Sequence, residues 1–231
     1  SKGCCLYFER HPYANTVLDD FLNALVDGCE QTGCKLEIDL RQYCIDFLTT
    51  QGVNKLHSKI EDTDNGVKVT FLKSNHKYSD SIKTQSMDYY LYDEDFKQEC
   101  HSIILTGDEI PQSVEFEGRT SQNTFVLANA GDHAYIISEL SQEFTEKFRK
   151  GDIQKIGTTL DRTVVWRSLI AMVKDLNLKS TDFFDIIFNN IFEEKDLVLL
   201  NIMLMTTKAF ISIYIPKELY DEYSKQMFEG L

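Results

Sequence analysis

The sequence predicts an α+β fold, which runs from a short helical N-terminal segment through a small antiparallel β-sandwich into an α-helical array. The spacing of the apolar residues supports this prediction. It changes from a period of about 3.6 to a period of about two at Val53, and it returns to the helical period from Ser141 onward. These changes divide the chain into predicted domains at residues 1–52, 53–139 and 140–231.

Two amphipathic helices are predicted in the N-terminal segment, at Thr16–Gly28 and at Asp39–Thr50. In the second helix, Asp39 and Gln42 have the spacing of a capping box, in which each side chain bonds to the backbone of the other residue. Gly52 then follows at a position where glycine commonly ends a helix. The apolar stripes of both helices need other protein to pack against.

Six or seven short strands are predicted between residues 53 and 139. Val67, Val69 and Phe71 alternate with polar residues, and the turn Asp64–Gly66 before them joins two strands. The other candidates are separated by turn residues and lie at Asp88–Tyr92, Ser102–Thr106, Ser113–Glu117, Thr124–Ala128 and Ala134–Ser138. Short strands at this spacing, with no helical pattern between them, are typical of a sandwich.

The helix predicted at Asp161–Asp175 opens the helical array and holds the only tryptophan of the chain. Trp166, Leu169, Ile170 and Val173 recur at i, i+3, i+4 and i+7, which places them in one apolar stripe. We interpret Trp166 as a core residue, because such stripes usually mark packing.

The stretch Leu197–Ile213 is apolar on nearly all sides, which predicts a helix packed deeply within the array. Its most membrane-like part, Leu197–Met205, is interrupted by Asn201, whereas a membrane span needs about twenty apolar residues. The N-terminus, SKGCCLYFERH, is too polar for a signal peptide. These features predict an intracellular, cytoplasmic protein without a membrane span.

The charge and the cysteines limit the function further. A net charge of −13 argues against nucleic acid and against anionic membrane surfaces as partners. Six cysteines, at positions 4, 5, 29, 34, 44 and 100, show no regular framework and are interpreted as free thiols in a reducing compartment. The spacing Cys29-x4-Cys34 lacks a second pair and is not typical of a zinc knuckle.

No motif for catalysis or metal binding is recognisable in this chain. It contains no H-E-x-x-H, no phosphate-binding glycine loop and no G-x-S-x-G. Cys100 and His101 are neighbours on a predicted strand, so their side chains face opposite ways and do not form a dyad. The remaining histidines are scattered, at positions 11, 57, 76 and 133. The sequence therefore predicts no catalytic, cofactor-binding or metal-binding residue in this chain.

Four segments carry a resemblance to a known family: Tyr7–Leu25, Asp39–Leu56, Leu127–Phe144 and Leu160–Phe188. Through them, nearly the whole chain resembles the C-terminal half of the aminopeptidase N-like zinc metallopeptidases, the gluzincins. In that family the helix after the sandwich often reads R-x-x-x-W-x-x-L-x-x-M-V-x-D. The residues that fill these places here are Arg162, Trp166, Leu169, Met172, Val173 and Asp175. One departure is Phe47, which stands where the family usually has tryptophan.

The resemblance implies three pieces: the end of a catalytic domain, its β-sandwich and the first helices of its C-terminal domain. The family's zinc motif would lie before Ser1, so no catalytic role is carried over to this chain, and zinc is expected only if an upstream catalytic domain exists.

Two functions fit this resemblance. The first is a non-catalytic region that braces the catalytic domain and covers the active-site entrance. The alternative is an aminopeptidase-derived pseudoenzyme that acts as a structural or interaction subunit of a larger assembly. The partner is then the catalytic domain of the same protein or another protein subunit. An unrelated binding module built from a sandwich and helices also fits the pattern.

Overall fold

The body of the protein consists of a four-stranded sheet, a three-stranded sheet and a helical layer, stacked in that order. This architecture is seen in a computed structural model that describes residues 2–107 and 110–230. Helices account for 47% and strands for 23% of the structure, and a helical N-terminal segment precedes the sheets. The predicted α+β fold class is therefore confirmed.

The described residues form eight α-helices and seven strands. The helices are α1 (Lys2–Arg10), α2 (Leu18–Gln31), α3 (Leu40–Thr49), α4 (Gln142–Arg149), α5 (Thr159–Lys174), α6 (Ser180–Asn190), α7 (Leu197–Tyr214) and α8 (Tyr220–Gly230). The strands are β1 (Asn54–Asp62), β2 (Gly66–Asn75), β3 (Gln85–Tyr92), β4 (Gln98–Leu105), β5 (Gln112–Glu117), β6 (Phe125–Ala130) and β7 (Ile136–Glu139). Short 3₁₀ turns lie at Asp152–Lys155, Ile191–Glu193 and Lys217–Leu219.

The strand order is β5-β2-β1-β7 in one sheet and β4-β3-β6 in the other. One described pairing departs from the predicted antiparallel pattern, because β7 runs parallel to β1 with Asn54 opposite Ile136 and His57 opposite Glu139. The chain enters β7 from β6, which belongs to the other sheet. No hairpin joins β7 to β1, so no turn imposes an antiparallel direction on it.

Successive side chains of a strand point to opposite faces of its sheet and so contribute to two separate cores. Met87 and Leu91 of β3 contribute to the core that contains residues of both sheets. Tyr92 of β3, with Phe125 and Leu127 of β6, belongs instead to the core shared with the helices. Because the three-stranded sheet is covered on both faces, every residue of β6 is buried.

The N-terminal helices pack on one another through glycine. A Cβ atom on Gly28 of α2 would lie 2.3 Å from the backbone nitrogen of Gly3 in α1, so this close approach requires glycine. In α3, Asp39 accepts a hydrogen bond from the Gln42 backbone at 3.1 Å, which confirms one half of the predicted capping box. The other half is wrong, because the Gln42 amide donates to Asp46 instead.

Much apolar surface of this N-terminal unit is exposed. No residue of α3 is buried. The exposed large apolar side chains of α1, α2 and their connections include Phe8, Val17, Leu18 and Leu36, and α3 adds Leu48. The unit buries little more than Gly3, Leu6, Leu22, Ala24 and Gly28.

The prediction that Leu197–Ile213 is buried on all sides is wrong. Leu199, Met203 and Phe210 of α7 are buried, but Leu197 is 78% exposed and Met205 is 65% exposed. Within the described residues, α6 and α8 pack against α7 and leave its other face uncovered. By length and composition alone, α7 is the one described helix that could cross a membrane, and 28% of its residues are buried.

The same substitution is expected to have effects of very different size on the two faces of α7. Met203→Ala is expected to lower the free energy of unfolding by about 2–5 kcal/mol, because it opens a cavity in the core. Met205→Ala, two residues away on the exposed face, is expected to change it by less than about 0.5 kcal/mol. Urea titration of both variants measures the difference. Equal losses would show that Met205 is covered in the native protein.

Candidate functional site

An ionic cluster of partly buried side chains lies where β1 and the edge strand β7 of the four-stranded sheet meet the end of α5. Its centre is Lys55 of β1, whose ammonium lies 3.0 Å from a carboxylate oxygen of Glu139 in β7 and 2.7 Å from one of Asp175 at the end of α5. The three side chains are only 15–18% exposed. Because a single cation joins a strand pair to the end of a helix, the cluster fixes how the helical layer sits on the sheet.

Two histidines and an amide complete this cluster. His57 Nδ1 lies 3.2 Å from Glu139 Oε2, and His76 Nε2 lies 3.2 Å from Asp175 Oδ1. Asn177 donates to Glu139 Oε1 at 2.7 Å. Each carboxylate therefore has a partner for both of its oxygens, as is usual for polar groups that are largely removed from water.

The cluster favours its charged forms. Burial by itself would raise the pKa of Glu139 and of Asp175, but the hydrogen bonds and charge of Lys55 outweigh burial and hold both pKa values below their usual range. For Lys55, burial would lower the pKa, but the two carboxylates raise it above its ordinary value. The lysine and the two carboxylates are therefore all ionised at neutral pH.

Lys55→Met is expected to lower the free energy of unfolding at neutral pH by about 1–3 kcal/mol, because two partly buried carboxylates lose their cation. Because folding lowers the pKa values of Glu139 and Asp175, their ionised forms stabilise the fold at pH values above the ordinary carboxylate pKa. This stabilisation is lost as the pH falls through the lowered pKa values. The difference between variant and wild type should therefore shrink in acid. Urea titrations at pH values from neutral to below about 4 measure it.

The matched control is Lys59→Met on the same strand, where the lysine is 63% exposed and pairs with Glu61. This change should alter stability by less than about 0.5 kcal/mol at either pH. A Lys55→Met loss that stayed constant with pH would contradict an electrostatic role for the cluster.

Asp161, in the first turn of α5, makes a second connection between the layers. Its carboxylate accepts hydrogen bonds from the backbone of Gly131 at 2.8 Å and from the hydroxyl of Thr158 at 2.5 Å. Thr158 is the N-cap of α5 and accepts in turn from the Asp161 backbone at 3.0 Å. Gly131 lies in the turn between β6 and β7, so this buried carboxylate ties the start of α5 to the sandwich.

Within the helical layer, Arg162 and Glu194 form a buried bidentate ion pair. Arg162 Nε and Nη2 lie 2.8 and 2.9 Å from the two oxygens of Glu194. Glu194 also accepts from the backbone of Lys195 and of Asp196, directly before α7 begins. Burial would raise the pKa of Glu194, but the bonds from Arg162 and the backbone lower it to about 2.

Two adjoining grooves lie beside the ionic cluster. One, of 580 Å³, is lined by His57, Glu139, Asn177 and residues of α4 and α6. The other, of 460 Å³, runs past Ser58 and Ile60 of β1, beyond the point where β7 ends. Both are lined by polar and apolar groups together, and His57 contributes to each of them.

The ion pairs and hydrogen bonds hold the layers in position. They bring together no recognisable set of catalytic side chains in the part of the chain that the structure describes. Among the described residues, no group of three or more histidine, cysteine, aspartate or glutamate side chains is placed to hold a metal ion. The ring of His101 packs against Tyr89 and Phe116, whereas Cys100 is exposed, so these neighbours diverge as predicted.

Three residues of the family-like helix pattern take part in these structures. Arg162 forms the buried pair, Trp166 lies in the helical core and Asp175 binds Lys55. Sequence reasoning missed Lys55 and Glu139. They are 84 residues apart and meet only because β7 pairs with β1 in parallel, a contact for which the sequence has no local signal.

Comparison with known proteins finds a similar aminopeptidase sequence. Aminopeptidase N of Streptomyces lividans is 26% identical over 233 residues, which cover 92% of this chain and 25% of that protein. The chain resembles Aminopeptidase N. The resemblance predicted from the sequence is therefore confirmed. The chain spans about a quarter of the length of this relative.

Comparison with solved structures also finds a similarity along nearly the whole chain. The crystal structure of Legionella pneumophila aminopeptidase A in complex with aspartic acid aligns with 98% of this chain and 28% of that chain, with a TM-score of 0.47 and 14% identity. No family model matches the chain.

Proposed function

We propose that this chain is a non-catalytic C-terminal region of a zinc aminopeptidase-like protein. In this role the sandwich braces a catalytic domain, and the helical array covers the entrance to its active site. The similarity to Aminopeptidase N along 92% of the chain supports the aminopeptidase-like assignment. The bracing role is supported by the way Lys55 and Asp161 hold the helical layer on the sheets.

The observation that carries the proposal is the exposed apolar surface of the N-terminal unit. Phe8 is 70% exposed, Val17 is 67% exposed and Leu48 is 58% exposed. Exposed apolar side chains of this kind favour contact with other protein. These helices are the part that resembles the end of the catalytic domain, so the catalytic domain is the partner proposed for them.

Zinc belongs to that partner in this proposal, and this chain binds none. By itself the chain should not hydrolyse peptides, because activation of water needs a bound metal or an equivalent base. The exposed cysteines, among them Cys5, Cys34 and Cys100, fit the proposed intracellular, cytoplasmic location, where thiols stay reduced.

The alternative is an aminopeptidase-derived pseudoenzyme that serves as a structural or interaction subunit of a larger assembly. The exposed face of α7 favours this reading specifically, because it offers a second apolar surface besides that of the N-terminal unit. In this case other protein subunits cover both surfaces.

The transcript that encodes the chain distinguishes the two proposals. A reading frame that continues upstream of Ser1 into an H-E-x-x-H motif supports the first, and a start codon at or just before Ser1 supports the second. The activity claim is tested separately with the purified 231-residue chain, by metal analysis and an aminoacyl chromogenic substrate. Turnover with stoichiometric zinc would overturn both proposals.

A further inference from the structure

Two cysteines occupy facing positions in the turn that ends α2. The backbone of Cys34 donates to the Cys29 carbonyl at 3.1 Å, and the backbone of Gly33 donates to the Glu30 carbonyl at 3.0 Å. Gly33 has a φ of +67°, in the left-handed region. These bonds define a Schellman motif, which folds the chain back so that its first and last residues, here Cys29 and Cys34, contact each other.

The backbone bond also limits the distance between the two residues. Standard bond lengths on either side of the 3.1 Å bond place the two Cα atoms at most about 7 Å apart. Disulfides span Cα separations of about 4.4–6.8 Å. The sulfur of Cys29 already lies 3.5 Å from the carbonyl oxygen of Cys34, so it points toward its potential partner.

We propose that Cys29 and Cys34 are a modification site that forms a reversible intramolecular disulfide when the protein meets a small disulfide oxidant. The glycine supplies the left-handed turn, and the Schellman bonds hold the two cysteine residues close together at the end of the helix. The other cysteines lie within regular elements and not in such a turn: Cys4 and Cys5 in α1, Cys44 in α3 and Cys100 in β4.

The exposure of the thiols sets the order of the reaction. Cys34 is exposed, so its thiolate attacks one sulfur of oxidised glutathione, forming a mixed disulfide and releasing one glutathione thiolate. Partial burial and the bond to Cys34 raise the pKa of the Cys29 thiol, which suits it to act second. The Cys29 thiolate then attacks the Cys34 sulfur and expels the second glutathione. Two thiols lose two electrons and two protons, and one molecule of oxidised glutathione gains them.

The disulfide would stiffen the connection between α2 and α3. Both cysteines line a groove of 200 Å³ between these helices, together with Leu36 and Arg41. Formation of the disulfide would fix the side of the groove that the two cysteines line, together with the turn that leads into α3. Oxidation would therefore change the mobility of the same N-terminal unit that carries the exposed apolar surface.

The test uses the full chain in glutathione buffers of increasing oxidised fraction, followed by alkylation, trypsin digestion and mass spectrometry. The tryptic peptide 11–35 contains Cys29 and Cys34 and no other cysteine, and the peptide 42–55 contains only Cys44 as an internal control. We expect peptide 11–35 to lose two hydrogen atoms and both alkylation sites, and to recover them with dithiothreitol. Peptide 42–55 should remain alkylated.

A single variant distinguishes formation of the intramolecular disulfide from formation of a mixed disulfide with glutathione. In Cys29→Ser the peptide 11–35 should stop at the mixed disulfide on Cys34 and never lose the two hydrogen atoms. If the wild-type chain also stops at a mixed disulfide, or if Cys29 and Cys34 stay fully alkylated in buffers that oxidise Cys44, the proposal is wrong.

Discussion

Arg162→Met is expected to lower the free energy of unfolding by about 3–5 kcal/mol, because it leaves a buried carboxylate without its cation. The side chain of Glu194 is only 2% exposed, and both of its oxygens are bonded to the guanidinium. Urea titration followed by circular dichroism measures the loss. The change is costly because the charge that remains cannot reach water.

The acid dependence of stability tests the same pair independently. The pKa of Glu194 is lowered to about 2 in the folded chain. The stability that ionised Glu194 contributes is therefore fully present at pH values above the ordinary glutamate pKa of about 4.3. It is lost as the pH falls toward about 2. The Arg162→Met variant should lack this part of the acid sensitivity.

The double variant Arg162→Met/Glu194→Gln is the control. Glutamine keeps an acceptor for the backbone of Lys195 and Asp196 but removes the unpaired charge. We expect it to recover a large part of the stability lost in the single variant. A double variant as unstable as Arg162→Met would mean that packing of the arginine stem, and not the unpaired charge, accounts for the loss.

The fold could be predicted because its signals are local. The alternation of Val67, Val69 and Phe71 and the turn before them require only adjacent residues, and β2 begins at Gly66 as that pattern indicates. The stripe around Trp166 predicted α5 within two residues at its N-terminal end. Apolar periodicity is a property of short segments, so it is readable before the tertiary structure is known.

The junction between the layers could not be predicted in the same way. Lys55, Glu139 and Asp175 belong to three segments that are far apart in sequence, and each looks like an ordinary surface residue by itself. Their meeting depends on the parallel pairing of β7 and on where α5 ends. Long-range pairing of this kind leaves no periodic trace in a single sequence.

The exposure of α7 was mispredicted for a related reason. An apolar helix indicates that partners exist, but it does not say that they lie within the same stretch of chain. Here the described residues cover the side of Leu199 and Met203 and leave the side of Leu197 and Met205 open. Within the described structure, α7 is therefore covered on one face only.

The Trp166 side chain lies at the centre of the helical core, 3% exposed and in edge-to-face contact with Phe183 at 6.4 Å between ring centroids. Trp166→Ala is expected to lower the free energy of unfolding by about 3–5 kcal/mol, since the cavity cannot fill without moving α5 and α6. Phe192→Ala removes an aromatic ring that is 52% exposed and should cost much less. Denaturant titration by circular dichroism compares the two variants.

A third variant distinguishes the contribution of the aromatic ring of Trp166 to stability from that of its indole nitrogen. Within the described residues the indole nitrogen is buried without a hydrogen-bond partner. Trp166→Phe keeps an aromatic ring and removes that unsatisfied donor, whose burial costs about 1–3 kcal/mol, so it should be far milder than Trp166→Ala. A small loss in Trp166→Ala would instead mean that the surrounding side chains fill the space left by the ring. Equal losses for alanine and phenylalanine would mean that the indole nitrogen, and not the aromatic ring, accounts for the stability.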